Sequence, residues 1–120
     1  MSPQHCEYYQ TLKQDLSELK LKLDQAEPSP ELIANFWQVQ LFFQQQLLPL
    51  SFDSLSPAIA ARFRSYQTEI HKQLRLLGTD LTFLKTSRQA ATIKQRRVQI
   101  SDRLQTLISY CDALIQSSET

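Results

Sequence analysis

Apolar residues recur in steps of three and four along most of this chain. From about residue 4 to residue 26, Tyr9, Leu12, Leu16, Leu19 and Leu23 form one such stripe. That spacing stacks side chains on one face of an α-helix. Glu18 and Lys22 lie off the stripe at the favourable i,i+4 separation for an ion pair. A second run, about 30–48, places Leu32, Phe36, Val39, Phe43 and Leu47 on one face. Trp37, Leu41 and Leu48 make a further stripe roughly 120° away by the helical period. A helix apolar on two sides is either central in a bundle or shares one side with another chain.

The third run opens at Pro57 and carries Ile59, Phe63, Tyr66, Ile70, Leu74, Leu77, Leu81 and Leu84 in one register. Extending that register reaches Arg88, Ala91 and Gln95, which is polar. A new phase then begins with Ile93, Arg97, Ile100, Leu104, Leu107, Cys111 and Leu114. The spacing therefore predicts a third helix over 57–86, a turn within 86–92, and a fourth helix over 91–116. No Gly or Pro marks that turn, so one continuous helix running to residue 115 is the alternative. The closing "SSET" is expected to fray.

Proline and glycine punctuate the rest. Pro30 and Pro57 suit the first turn of a helix, with Ser29 and Ser56 before them as N-caps. Pro28 belongs to the same breaker segment, and Pro49 stops the helix that precedes it. The only glycine, Gly78, falls inside "QLRLLGTDLTFL". A glycine costs a helix interior about 1 kcal/mol relative to alanine. The apolar register passes Gly78 without a slip, so the residue reads as a point of close approach inside the helix. Either a neighbouring helix or a partner makes that approach.

Four helices with short connections predict an all-α fold, an antiparallel four-helix bundle with long third and fourth helices. The length, 120 residues, suits one domain over 1–120. The third and fourth helices would be about 40 Å long and the first two about 30 Å, so the hairpin of the longer pair should project. This topology also brings Cys6 and Cys111 to the same end, where they read as free thiols. Phe52 and Leu55, in the loop before Pro57, should tuck under the bundle.

Charge changes this picture more than composition does. Net charge is only +1, but residues 1–60 hold three lysines against seven acids while residues 61–120 hold ten Lys/Arg against five acids. No acid occurs between residues 81 and 101, so the projecting tip carries Lys85, Arg88, Lys94, Arg96 and Arg97. On the third helix, Arg64, His71, Arg75, Gly78 and Lys85 fall on one flank. Leu76 and Phe83 fall on the other, beside Glu69 and Asp80. These basic residues, with Gly78, are the candidate partner-binding set, and an acidic protein surface is the matching partner. Trp37, Leu41, Leu76 and Phe83 are large apolar residues off the core stripes and form a candidate homodimer interface.

Other chemistries find little footing. There is no nucleophile elbow, phosphate loop or metal-ligand spacing, and the chain reads as non-enzymatic, without cofactor or metal. Nucleic acid is a weaker reading, because the basic tip lacks aromatic residues for base stacking. The start, "MSPQHCEYYQ", shows no signal-peptide pattern and no run is apolar enough to span a bilayer, so a cytoplasmic protein is expected.

"QTEIHKQLRLLGTDLTFLKTSRQ", with "LSPAIAARFRSY" before it, "RLQTLISYCDALI" after it and "FFQQQLLPL" ahead of the loop, resembles the cyanobacterial PatD family of heterocyst-frequency control proteins. The similarity covers roughly residues 30–116. The first helix matches only in character. The resemblance implies a small regulatory protein without catalytic activity, tied to cell differentiation, with the division protein FtsZ as partner and the division site as a place of action. It supplies no residue-level site, and a relative from an organism without heterocysts would keep the division role alone.

Overall fold

In a computed structural model that describes residues 3–25 and 30–119, the chain forms four helices and no strand among the described residues. They are α1 (Pro3–Gln25), α2 (Pro30–Phe42) continued by a π-helical turn (Phe43–Leu47), α3 (Pro57–Thr86) and α4 (Ala90–Glu119). The assembly measures 50 × 21 × 21 Å, one long helix in length and two helices in width. A 30-residue helix such as α3 or α4 accounts for about 45 Å of that length.

The four main stripes converge. Tyr9, Leu12, Leu16, Leu19 and Leu23 of α1, and Leu32, Phe36, Val39, Phe43 and Leu47 of α2 and its π turn, are all buried. They meet Phe63, Ile70, Leu74, Leu77, Leu81 and Leu84 of α3 and Ile100, Leu104, Leu107, Cys111 and Leu114 of α4 in one core. Where Leu19, Leu32, Leu77 and Leu104 meet, the remaining void is only about 10 Å³, about the least that could hold a water. Removing any of these side chains would open a cavity in a filled interior.

Residue pairs fix how the helices run. Lys13 meets Asp112 at 2.6 Å, and the Arg97 guanidinium donates to the Leu23 carbonyl, so residue numbers fall along α4 as they rise along α1. Phe36 faces Gly78 and Phe43 faces His71, giving the same opposed sense to α2 and α3. Tyr66 meets Tyr110, and Phe83 meets Arg96, along α3 and α4. Tyr8 against Phe42 and Lys22 against Glu31 do so for α1 and α2. Lys22 thus pairs with Glu31 of the next helix at 3.8 Å, and not with Glu18 of its own as the i,i+4 spacing suggests.

The turn between α3 and α4 spans Ser87 to Gln89, so the two are separate helices. Hydroxyls do here what glycine does elsewhere. Thr86 and Ser87 both donate to the Phe83 carbonyl, at 3.2 and 2.6 Å, and the Ser87 amide donates to Leu84 at 3.2 Å. These bonds satisfy carbonyls that the helix end leaves open. At the start of α3, Ser56 accepts from the Ile59 amide and Pro57 takes the first turn, as the sequence predicts. The Ser29 cap and Pro28 lie outside the described residues, as does Ala26. At the far end α4 continues to Glu119, past the expected limit of 116 and into the segment expected to fray.

Three local expectations change. First, α2 does not run regularly to residue 48. The Leu48 amide bonds the Phe43 carbonyl five residues back at 2.8 Å, closing a π turn. Pro49 cannot donate, and its ring would clash with the Gln45 carbonyl in a continuing α-helix. The Gln67 amide donates to the carbonyls of Leu47 and Leu48 at 2.6 and 3.2 Å, closing that end from α3. The wider turn rotates Leu48 out of line with Trp37 and Leu41. Second, α2 is not buried on two sides, because Trp37 and Leu41 stay 55% and 51% exposed. Third, Ile59 is exposed and Ala60 takes the core position. The loop residue Phe52 is buried and stacks on Phe63 at 5.6 Å, on the neighbouring turn. Leu55 is half-buried against the core.

Candidate functional site

Between Ala61 and Ser101 every exposed charged side chain is a cation: Arg62, Arg64, Lys72, Arg75, Lys85, Arg88 and Lys94. The acids in that span are half-buried and hydrogen-bonded. Asp80 accepts from Arg103 of α4 at 2.7 Å, and Glu69 accepts from Gln73 at 3.2 Å. Gln73 in turn accepts from Arg103. Arg103 therefore draws the carboxylate side of α3 against α4 and leaves the other side of α3 uniformly basic. Helix α4 carries no acid in its first turn.

The expected partner set divides on this surface. Lys85, Arg88 and Lys94 are exposed at the hairpin end, and none makes an ion pair among the described residues. Arg64 is exposed and only loosely held by Asp53, at 3.7 Å. Arg75 is exposed along the middle of α3. Three others are drawn into the fold. Arg97 holds the Leu23 carbonyl in the last turn of α1, one of the groups a helix end leaves without a partner. Arg96 is half-buried with its guanidinium 4.8 Å from the Phe83 ring centre, within cation–π range. His71 is half-buried with its ring 5.6 Å from that of Phe43. Lys72, not singled out from the sequence, belongs to the exposed basic face, while Arg62, also exposed, lies on the Glu69 and Asp80 flank with its guanidinium 5.8 Å from the Tyr66 ring centre. Their signal was present: each is a cation off the apolar register of α3.

Gly78 has a definite neighbour. A Cβ there would sit 3.2 Å from two ring carbons of Phe36. The ring lies against the bare backbone, and this contact sets how closely α2 and α3 approach. A side chain at this position would have to move the ring.

The apolar set occupies two places. Trp37 and Leu41 stand on the outer side of α2, with the Trp37 ring edge-on to Phe36 at 5.1 Å. Leu76 and Phe83, 39% and 48% exposed, sit on the α4-facing side of α3. Phe36 packs on the opposite flank of α3, at Gly78, so the four residues do not share one patch. Leu76 alone of the four lines a shallow groove of about 350 Å³ on α3, together with Thr68, His71, Lys72, Arg75 and Thr79. A wider groove of about 520 Å³, lined by Asp24, Ile93, Lys94, Arg97 and Val98 among others, lies where α4 runs beyond α1.

Titration is perturbed inside the core. Burial, and then the charge of Asp112, pushes the Cys111 thiol up to about 12. Burial, and then Cys111, raises Tyr9. Both cysteines are free. Among the described residues no group of His, Cys, Asp and Glu could hold a metal ion, and no helix is long and apolar enough to cross a membrane. What the surface offers is fixed positive charge beside apolar side chains, the ingredients of recognition between proteins. No family model, curated protein or solved structure matches the chain.

Proposed function

We propose that this chain is a non-enzymatic regulatory protein that acts by binding an acidic protein partner through the exposed side of α3 and the hairpin tip. The observation that carries the reading is that every exposed charged side chain from Arg62 to Lys94 is a cation, while the two intervening carboxylates are half-buried, Asp80 bonded to Arg103 and Glu69 to Gln73. A uniformly basic helix face steers an acidic partner and repels basic ones. The sequence resemblance to the PatD family makes the division protein FtsZ the partner of choice. It makes control of heterocyst frequency, in the cytoplasm and at the division site, the process served.

The test is co-sedimentation with polymerised FtsZ, comparing the native chain with Lys85→Glu, Arg88→Glu and Lys94→Glu combined. These side chains are solvated, so helicity and thermal midpoint should hold. Binding should fall at least about tenfold and weaken with added salt. Undiminished pelleting of a folded triple variant would reject the cationic face as the contact.

A further inference from the structure

The seam between α2 and α3 carries an exposed apolar pair on one helix and an exposed cation, Arg75, on the other. Two contacts bracket it: Phe36 against Gly78 at one end and Phe43 against His71 at the other. Trp37 and Leu41 lie between those points on α2, and Arg75 lies between them on α3. Because Phe36 takes the place a side chain at Gly78 would occupy, the outward turn of α2 carries Trp37 with more than half its surface exposed. Arg75 and Lys72 line a groove on α3 that is walled by residues of that helix alone, and no acid lines it.

We infer that this seam is a docking site for an amphipathic acidic helix of the partner, laid along α2 and α3 with apolar side chains on Trp37 and Leu41 and carboxylates against Arg75 and Lys72. The inference rests on the reading of the chain as a partner-binding protein and names the element recognised. Charge decides against a second copy of this chain. A symmetric pairing of seam on seam would bring each Arg75 and Lys72 toward its own equivalent, an arrangement of like charges. A head-to-tail pairing would need an acidic helix with exposed apolar side chains. Helix α1, with four acids against three lysines, exposes only one large apolar residue, Leu21, among the described residues. A foreign helix with several apolar anchors and flanking carboxylates satisfies both halves of the seam, the mode in which helices are read by i, i+4 and i+7 anchors.

Trp37 is the only tryptophan and reports the event itself. The probe is a synthetic 18-residue helical peptide with Leu at i, i+4, i+7 and i+11 and Glu on both flanks, titrated into the full chain. Saturable binding with a blue shift of Trp37 emission, absent for the same peptide with Gln in place of Glu, is the expected result. Arg75→Glu, which keeps the fluorophore, should weaken binding about thirtyfold, and Trp37→Ala should do the same by calorimetry. Equal binding of the Glu and Gln peptides, or no change in Arg75→Glu, would overturn the acidic-helix assignment. Concentration-dependent dimerisation lost in Trp37→Ala, without peptide binding, would instead assign the seam to a second copy. The peptide measurement does not involve FtsZ. Peptide binding without FtsZ binding would therefore refute the partner named above and leave the seam standing. FtsZ binding unaffected by Arg75→Glu and Trp37→Ala would do the reverse.

Discussion

The α1/α4 seam and the α2/α3 seam are both built on leucine-rich stripes, yet they are finished differently. Along α1 and α4 the edges are closed by polar bonds, Lys13 to Asp112 at 2.6 Å at one end and Arg97 to the Leu23 carbonyl at the other. Along α2 and α3 polar closure is confined to one end, where the Gln67 amide donates to the Leu47 and Leu48 carbonyls, and farther along the approach is set by one ring on one glycine. Trp37 and Leu41 remain uncovered at the edge, with the exposed cation Arg75 on the other helix. The first seam is complete within the chain. The second has the composition of an interface, aromatic and apolar anchors with a charged rim. An isolated exposed leucine means little, but an exposed pair bracketed by two fixed contacts and bordered by one sign of charge is specific.

The largest expected effects fall in the completed seam. Leu104→Ala, buried among Leu19, Leu23 and Ile100, should destabilise by about 2–5 kcal/mol in urea unfolding. Leu41→Ala, on the open seam, should change stability by no more than about 0.5 kcal/mol. Equal losses at the two sites would erase the distinction. Gly78→Leu should fall between them. The gain in helix propensity, up to about 1 kcal/mol, is opposed by displacement of Phe36, for which overpacking costs about 1–3 kcal/mol. A net loss of about 1 kcal/mol, with altered Trp37 emission because that ring rests on Phe36, is the expected outcome. A stabilised variant with native emission would mean that the ring yields freely.

A further effect is a pH dependence of the closed core. Cys111, ordinarily near 9 as a thiol, is raised to about 12 by burial first and Asp112 second. The folded chain holds this proton more tightly than the unfolded one. The stabilisation is therefore fully present below about pH 9 and is lost as pH climbs through about 12. Tyr9, raised in the same direction by burial and by Cys111, adds to the trend. The thermal midpoint should stay level up to about pH 9 and then decline, with a shallower decline in Cys111→Ala. A midpoint unchanged to pH 11 would show that water reaches the thiol.

The core was legible in the sequence because periodicity repeats over many residues, and each buried leucine supports its neighbours' phase. That is why α3 begins at Pro57 and ends at Thr86 as its register predicts. The α3–α4 turn could be placed only within a window, because its cap is made by the hydroxyls of Thr86 and Ser87 rather than by glycine. The π turn was hidden for a different reason: Pro49 announces an ending but not its width. Cations were the least legible class. Arg96, Arg97, Lys94 and Arg88 look alike in sequence, and long side chains lie along the protein or stand off it according to what ends beside them. Arg97 is drawn in by the terminus of α1 and Arg96 by the Phe83 ring, neighbours fixed only by tertiary packing. Gly78 lay between these extremes. Its helical setting followed from register, but Phe36 as its neighbour did not.

The most direct test of the contrast between seams is a backbone chemical-shift map of the isotope-labelled chain during titration with the acidic helical peptide. Shifts concentrated on residues 33–44 of the α2 region and 68–82 of α3, with α1 and the Leu104–Leu114 stretch of α4 unmoved, are predicted. Shifts centred on the α1/α4 seam, or spread evenly over the chain, would contradict the account.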